Sequence, residues 1–131
     1  SYKAWISTAL DDAIDRLHND GPLYRTDGVL IANFNSDLTT GVLRAPLQIN
    51  EFAEPRTQSS VWTGTLGNGR GSGLTCSDWT ADAQAGGSIG FEGAADILWT
   101  NFPFAGYGCN TDTLGLYCIG DNDSLFLEGF D

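Results

Sequence analysis

Carboxylates, cysteines and clustered aromatics are the side chains of this sequence that could carry chemistry. Asp11, Asp12 and Asp15 share one short segment and Glu51 and Glu54 another, so either group could pair a general acid with a general base. A chain with 17 Asp and Glu also places acids side by side through abundance alone, and a solvated acidic face explains both groups without a reaction. A Ser-His-Asp hydrolase would need His18, the only histidine, as its base. His18 stands beside Asn19-Asp20-Gly21, a helix-ending signal, and no Gly-x-Ser-x-Gly elbow accompanies it. Asp121 and Asp123, with Asn122 between them, offer the oxygen ligands that calcium takes, and Asp112 would join them if the fold brings it near. The twelve-residue EF-hand pattern is absent from the sequence.

The cysteines are Cys76, Cys109 and Cys118, with no Cys-x-x-Cys pair among them. A zinc site needs roughly four soft or imidazole ligands, and with His18 far off on the predicted helix the chain cannot easily supply one. Nor does any of the three have a base beside it in sequence that would mark a nucleophile. Glycine-, asparagine- and tryptophan-rich loops with many Ser and Thr suit an exported protein, where disulfides persist. One bridge among three cysteines leaves an odd thiol, which either stays reduced or pairs outside this chain. Trp99, Asn101, Phe102, Phe104 and Tyr107 crowd a loop containing Pro and Gly. Such rings could stack on a sugar or anchor in a partner's pocket, or they could simply cover a sheet. Gly67, Gly69, Gly71 and Gly73 fit neither dinucleotide nor Walker spacing and read as a turn.

Positioning these groups falls to a chain of 131 residues, a length that predicts one domain, residues 1–131. A formal charge of −11 argues against nucleic acid, heparin-like polymers and anionic membranes as partners. No apolar run reaches the roughly 20 residues of a membrane helix, so no membrane insertion is expected. No leader-like stretch opens the sequence, so any export signal is expected to have been removed. Tyr2–Ile6 alternates like a strand, and Leu10, Ile14 and Leu17 then recur at helical spacing behind a Ser7/Thr8 cap, predicting one clear N-terminal helix. Residues 60–65 read as a strand, 114–119 as the last core strand, and 125–127 as an edge.

The order of these motifs resembles a known family. Ala4-Trp5-Ile6-Ser7, Leu10-Asp11-Asp12, Val61-Trp62-Thr63-Gly64-Thr65, Asn68-Gly69-Arg70, Cys76-Ser77-Asp78-Trp79, Cys109 and Leu116-Tyr117-Cys118-Ile119 follow one another as in the endostatin domain of collagens XV and XVIII. The sequence is similar, more closely still, to a bacterial domain family of unassigned function found in exported and surface-anchored proteins. The resemblance covers residues 2–120 and implies a C-type-lectin-like α+β fold. That fold would be a mixed twisted sheet with long irregular loops. It implies a Cys76–Cys109 disulfide, a closure that would stabilise by roughly 3–4 kcal/mol. It also implies a partner for Cys118 upstream of Ser1, so that this chain would be a fragment or a processed form. It places Trp5, Trp62 and Trp79 in the core. Endostatin's arginine patch and zinc-binding histidines have no counterpart in five scattered Arg and one His. The calcium-dependent sugar motif fails as well, since Glu54-Pro55-Arg56 lies too early and Trp99-Thr100-Asn101 lacks the acid.

These readings predict a secreted or cell-surface domain with no catalytic role. It would recognise a glycan or an extracellular protein through loop 81–112, above all through Trp99 to Tyr107. Its alternative role is that of a subunit or cap of a larger surface assembly, with its exposed strands and aromatic loop buried against neighbours.

Overall fold

The computed structural model describes residues 2–18, 21–56, 60–80, 86–102, 107–110 and 114–120, and the backbone of 124–128. Its largest sheet has five strands in the order β1 (Tyr2–Ala4), β8 (Leu116–Gly120), β9 (Ser124–Glu128), β2 (Leu23–Arg25) and β3 (Leu30–Ala32). Neighbours run antiparallel except β2 and β9, which are parallel. A two-stranded sheet pairs β4 (Ser60–Trp62) with β6 (Ile89–Phe91), and a second pairs β5 (Gly86–Gly87) with β7 (Tyr107–Gly108). A bridge from Val61 to Gly115 ties β4 to the start of β8. Residues 125–127, read as an edge, instead lie in a strand flanked on both sides.

The expected C-type-lectin-like α+β fold with one clear N-terminal helix does not hold. Small, mostly antiparallel sheets dominate, and the predicted helix contracts to a single 3₁₀ turn at Ala13–Arg16. Tertiary and side-chain acceptors capture the amides a helix would have used. Thr8 Oγ1 accepts from the Leu10 and Asp11 N–H groups at 3.2 and 3.1 Å. The Ala13 N–H donates to Ser7 Oγ at 2.9 Å, and that of Ile14 to the Gly69 carbonyl at 3.2 Å. Leu10, counted on the apolar face, is 92% exposed. Further 3₁₀ turns span Asn35–Thr39 and Ile97–Trp99.

Trp5, Leu23, Ile31, Leu38, Leu47, Val61, Trp99, Tyr117 and Ile119 form the centre of one buried cluster. The Trp99 ring packs between Trp5 and Tyr117, with ring centres 5.0 and 5.6 Å away. A chain of buried hydroxyls runs through this cluster. Thr100 Oγ1 accepts from the Trp5 indole at 2.8 Å and donates to the Thr65 carbonyl at 3.2 Å. Thr63 Oγ1 donates to the Thr100 carbonyl at 2.6 Å and accepts from the Thr65 N–H at 3.3 Å. Thr65 Oγ1 donates to the Thr63 carbonyl, which leaves Ser7 Oγ to donate to Thr65 Oγ1 at 2.8 Å. Thr63, Thr65, Thr100 and Ser7 thus each both give and accept a hydrogen bond, which is how buried hydroxyls avoid a desolvation penalty.

Candidate functional site

Three segments lie side by side. Thr75 bridges Gly87, the Ser88 N–H donates to the Leu74 carbonyl at 2.8 Å, and Gly87 pairs with Tyr107. A disulfide joins the two outer segments, Cys76 to Cys109, with Cα atoms 5.7 Å apart. It is the pairing that the endostatin resemblance implies. Cys118 takes no part in it and lies buried in β8. Gly87 sits under this staple because a Cβ there would come within 2.7 Å of both Cys76 Sγ and the Trp62 ring.

Cys76, Ser77, Asp78 and Trp79 all have positive φ, from 50° to 65°, and so form one left-handed turn. None is a glycine, and each L-residue in this conformation costs roughly 1–2 kcal/mol. Several anchors hold the turn. Thr75 Oγ1 accepts from the Asp78 N–H at 3.2 Å, and Asp78 Oδ1 accepts from the Ala9 N–H at 2.6 Å. The Trp79 indole donates to the Ser7 carbonyl at 2.8 Å, and its ring meets Trp62 edge-on with centres 5.8 Å apart. Gly64 makes room for this ring, since a Cβ there would lie 2.8 Å from it.

Above the turn stands an aromatic face. Trp62 and Trp79, expected in the core, are half-buried, while Trp5 is fully buried. Tyr107 is 41% exposed, and its register opposite Gly87 puts it on the side of β5–β7 where the Trp62 ring lies. Ser77, Asp78, Thr80 and Asn110 rim this face in exposed positions. Rings of this kind can stack on a sugar or fill a partner's pocket, and the rim supplies hydrogen-bonding groups.

The loop residues proposed from sequence divide. Trp99 is 1% exposed and belongs to the core, so its ring presents nothing to a ligand. Phe102 packs on Phe91 with centres 6.4 Å apart, and Asn101 beside it is half-buried. Among the described members of the set only Tyr107 is exposed, and Phe104 lies outside the described residues. Asp112, Asp121 and Asp123, the calcium candidates, also lie outside them. Among the described residues no group of three or more His, Cys, Asp and Glu could hold a metal ion. Nor is any helix among them long and apolar enough to cross a membrane.

One carboxylate of each candidate group makes a structural contact. Asp12 Oδ1 accepts from the Gly71 N–H at 2.8 Å and Oδ2 pairs with Arg70 at 3.0 Å, pinning the glycine-rich turn. Glu54 Oε1 accepts from the Asn50 amide at 3.2 Å, and Glu51 sits exposed in the same turn. Sequence reasoning missed Glu92, which is 1% exposed, with no hydrogen-bond partner for either oxygen among the described residues. Burial raises its carboxyl to about 7 against a weaker opposing pull from Arg56. Its position after Phe91 in a Gly-rich segment gave no signal, because burial of an acid follows from tertiary packing.

No family model matches the chain, and no curated protein is significantly similar to it.

Proposed function

We propose that this protein is a non-catalytic, extracytoplasmic binding domain that engages a glycan or an extracellular protein. Its contact surface is the face of Trp62, Trp79 and Tyr107, with the flanking loop 81–112. The observation that carries this reading is the left-handed turn Cys76–Trp79 pinned beneath those rings. Strain of this kind persists only where the surroundings over-determine it, and it concentrates at ligand clamps and other functional sites. The disulfide supports an oxidising compartment. A kinship with the endostatin-type domains rests on the motif order and on the Cys76–Cys109 pairing, and carries no claim about fold. Calcium enters as an arm of the test.

A glycan array and a panel of extracellular matrix proteins, each probed with and without chelator, test the proposal. Binding to one class, lost in Tyr107→Ala at unchanged melting temperature, is the expected result, and loss on chelation would bring calcium into the site. Silence on both panels, or binding indifferent to Tyr107, would overturn it.

The exposure of Tyr2 and Tyr24 on β1 and β2 of the large sheet favours a second reading, a subunit buried against neighbours in a surface assembly. Light scattering at rising concentration separates the two: growth in mass supports assembly, and a strict monomer counts against it.

A further inference from the structure

Charge is divided unevenly along this chain. Residues 1–70 hold eight of the 17 Asp and Glu together with all six Lys and Arg and the single histidine. Residues 71–131 hold the other nine acids and no Lys, Arg or His, and so carry −9 of the formal −11. The segments that build the aromatic face, 74–80, 86–88 and 107–110, belong to that cation-free part, and Ser60–Trp62 adds no charge to them. The residues outside the described ones include no Lys, Arg or His either, so none of them supplies a cationic side chain here. Arg70, the cation nearest in the chain, is held by Asp12 at 3.0 Å. Asp78 stands exposed next to Trp79, with its Oδ1 accepting from the Ala9 N–H at 2.6 Å.

Resting on the reading that this face is the contact surface, we infer that its occupant is an arginine-bearing segment of an extracellular protein. Guanidinium groups of such a segment stack on the exposed Tyr107 ring, whose π-face attracts a cation, and pair with the Asp78 carboxylate. Arginine suits both tasks better than lysine, because its planar group can stack and can fork onto a carboxylate. The two tryptophans offer a sugar little. Trp62 lies so close to Gly87 that a Cβ there would come within 2.7 Å of the ring, and it meets Trp79 edge-on at 63°. They therefore form no continuous platform on which a pyranose could lie flat. Sulfated and sialylated glycans are repelled by the charge. A second copy of this chain would bring the same cation-free surface, so a two-fold pairing through it is opposed as well.

Three peptides, titrated by NMR into the labelled protein with chelator present, test the inference: acetyl-(Gly-Arg)3-amide, its neutral citrulline isostere and acetyl-(Gly-Glu)3-amide. The Trp79 indole N–H and the Gly108 amide report binding. Saturable shifts are expected with the arginine peptide, about tenfold tighter than with citrulline, and none with the glutamate peptide. Raising salt from about 20 to about 200 mM should weaken the arginine peptide several-fold. Asp78→Asn keeps the acceptor for the Ala9 N–H and suits the φ of 58° at that position, so the turn survives while the charge is lost. It should weaken the arginine peptide by about threefold or more. Tyr107→Phe should bind like the wild type, and Tyr107→Leu about threefold more weakly. Equal affinity for arginine and citrulline, indifference to salt, or full affinity in both Asp78→Asn and Tyr107→Leu would overturn the inference. If the arginine peptide fails while cellohexaose moves the same reporters in a Tyr107-dependent way, the inference falls and the contact face stands. If neither peptide nor glycan moves them and the matrix panel is silent, both fall.

Discussion

The Trp79 indole reaches back 72 residues to donate a 2.8 Å hydrogen bond to the Ser7 carbonyl. The Ser7 hydroxyl in turn holds the Ala13 N–H and Thr65 Oγ1. Ser7 therefore joins the left-handed surface turn to the buried hydroxyl chain, and the rings of the proposed contact face are seated on the core through it.

Trp79→Phe keeps most of the ring but removes the donor, leaving the Ser7 carbonyl without this bond. A loss of about 1–2 kcal/mol in urea unfolding is expected. Hydrogen exchange should rise at residues 76–80 more than in β8. A uniform rise would mean that the indole bond stabilises the whole fold and does not locally pin the turn.

Thr100 accepts from Trp5 and donates to the Thr65 carbonyl, so Thr100→Val orphans two buried groups at about 1–3 kcal/mol each. Thr100→Ser retains both bonds and loses only a methyl, which costs about 1 kcal/mol. Similar melting temperatures for the two variants would show the hydroxyl chain to be energetically silent.

How far the sequence foretold this architecture depends on the range of the forces involved. The alternation around Val61-Trp62 and Tyr117-Ile119 is local and marks strands β4 and β8. The glycine run 67–73 forms the expected turn, closed by the Leu66 N–H on the Arg70 carbonyl at 2.8 Å. Helical spacing at Leu10, Ile14 and Leu17 misled, because acceptors on Ser7, Thr8 and Gly69 compete for the same amides and no periodicity reports them. Trp99 and Trp79 exchanged roles for a similar reason. Which tryptophan is buried depends on how β4, β6 and β8 meet, a matter of contacts between residues far apart in sequence.

Gly90 went unremarked in the sequence, yet it faces the Trp99 carbonyl so closely that a Cβ there would overlap the oxygen. The obstacle is backbone and cannot rotate away. Gly90→Ala is therefore expected to cost about 3 kcal/mol or more, or to prevent folding. A variant with wild-type stability would show that β6 and the Ile97–Trp99 turn do not approach as described.

Reduction of Cys76–Cys109, which closes a loop of sequence separation 33, should lower stability by roughly 3–4 kcal/mol. The same loss is expected in Cys76→Ser/Cys109→Ser. Peptide mapping without reductant should recover the two cysteines linked. In the reduced protein, exchange should accelerate at 76–80 and 107–110 before the large sheet opens. Equal melting with and without reductant would leave the staple without an energetic role.

Glu92 makes stability depend on pH with a definite sign. Its carboxyl is raised from 4.5 to about 7 by burial, so the folded state holds the proton more tightly than the unfolded chain. The stabilisation is fully present below about pH 4.5, is lost as pH climbs towards 7, and changes little above that. The whole span amounts to roughly 3 kcal/mol. Tyr117 does not disturb this window, because burial and the Glu92 charge hold its hydroxyl well above its ordinary value of 10. Asp27, lowered by its hydrogen bond from Arg25, acts only below its ordinary 3.8, where its contribution fades as pH falls. Urea unfolding of the wild type should therefore show lower stability at pH 8 than at pH 5. Glu92→Gln should flatten that difference and gain most at pH 8. A wild-type profile rising from pH 5 to pH 8, or a Glu92→Gln profile parallel to it, would mean that Glu92 is already charged and paired in the native protein.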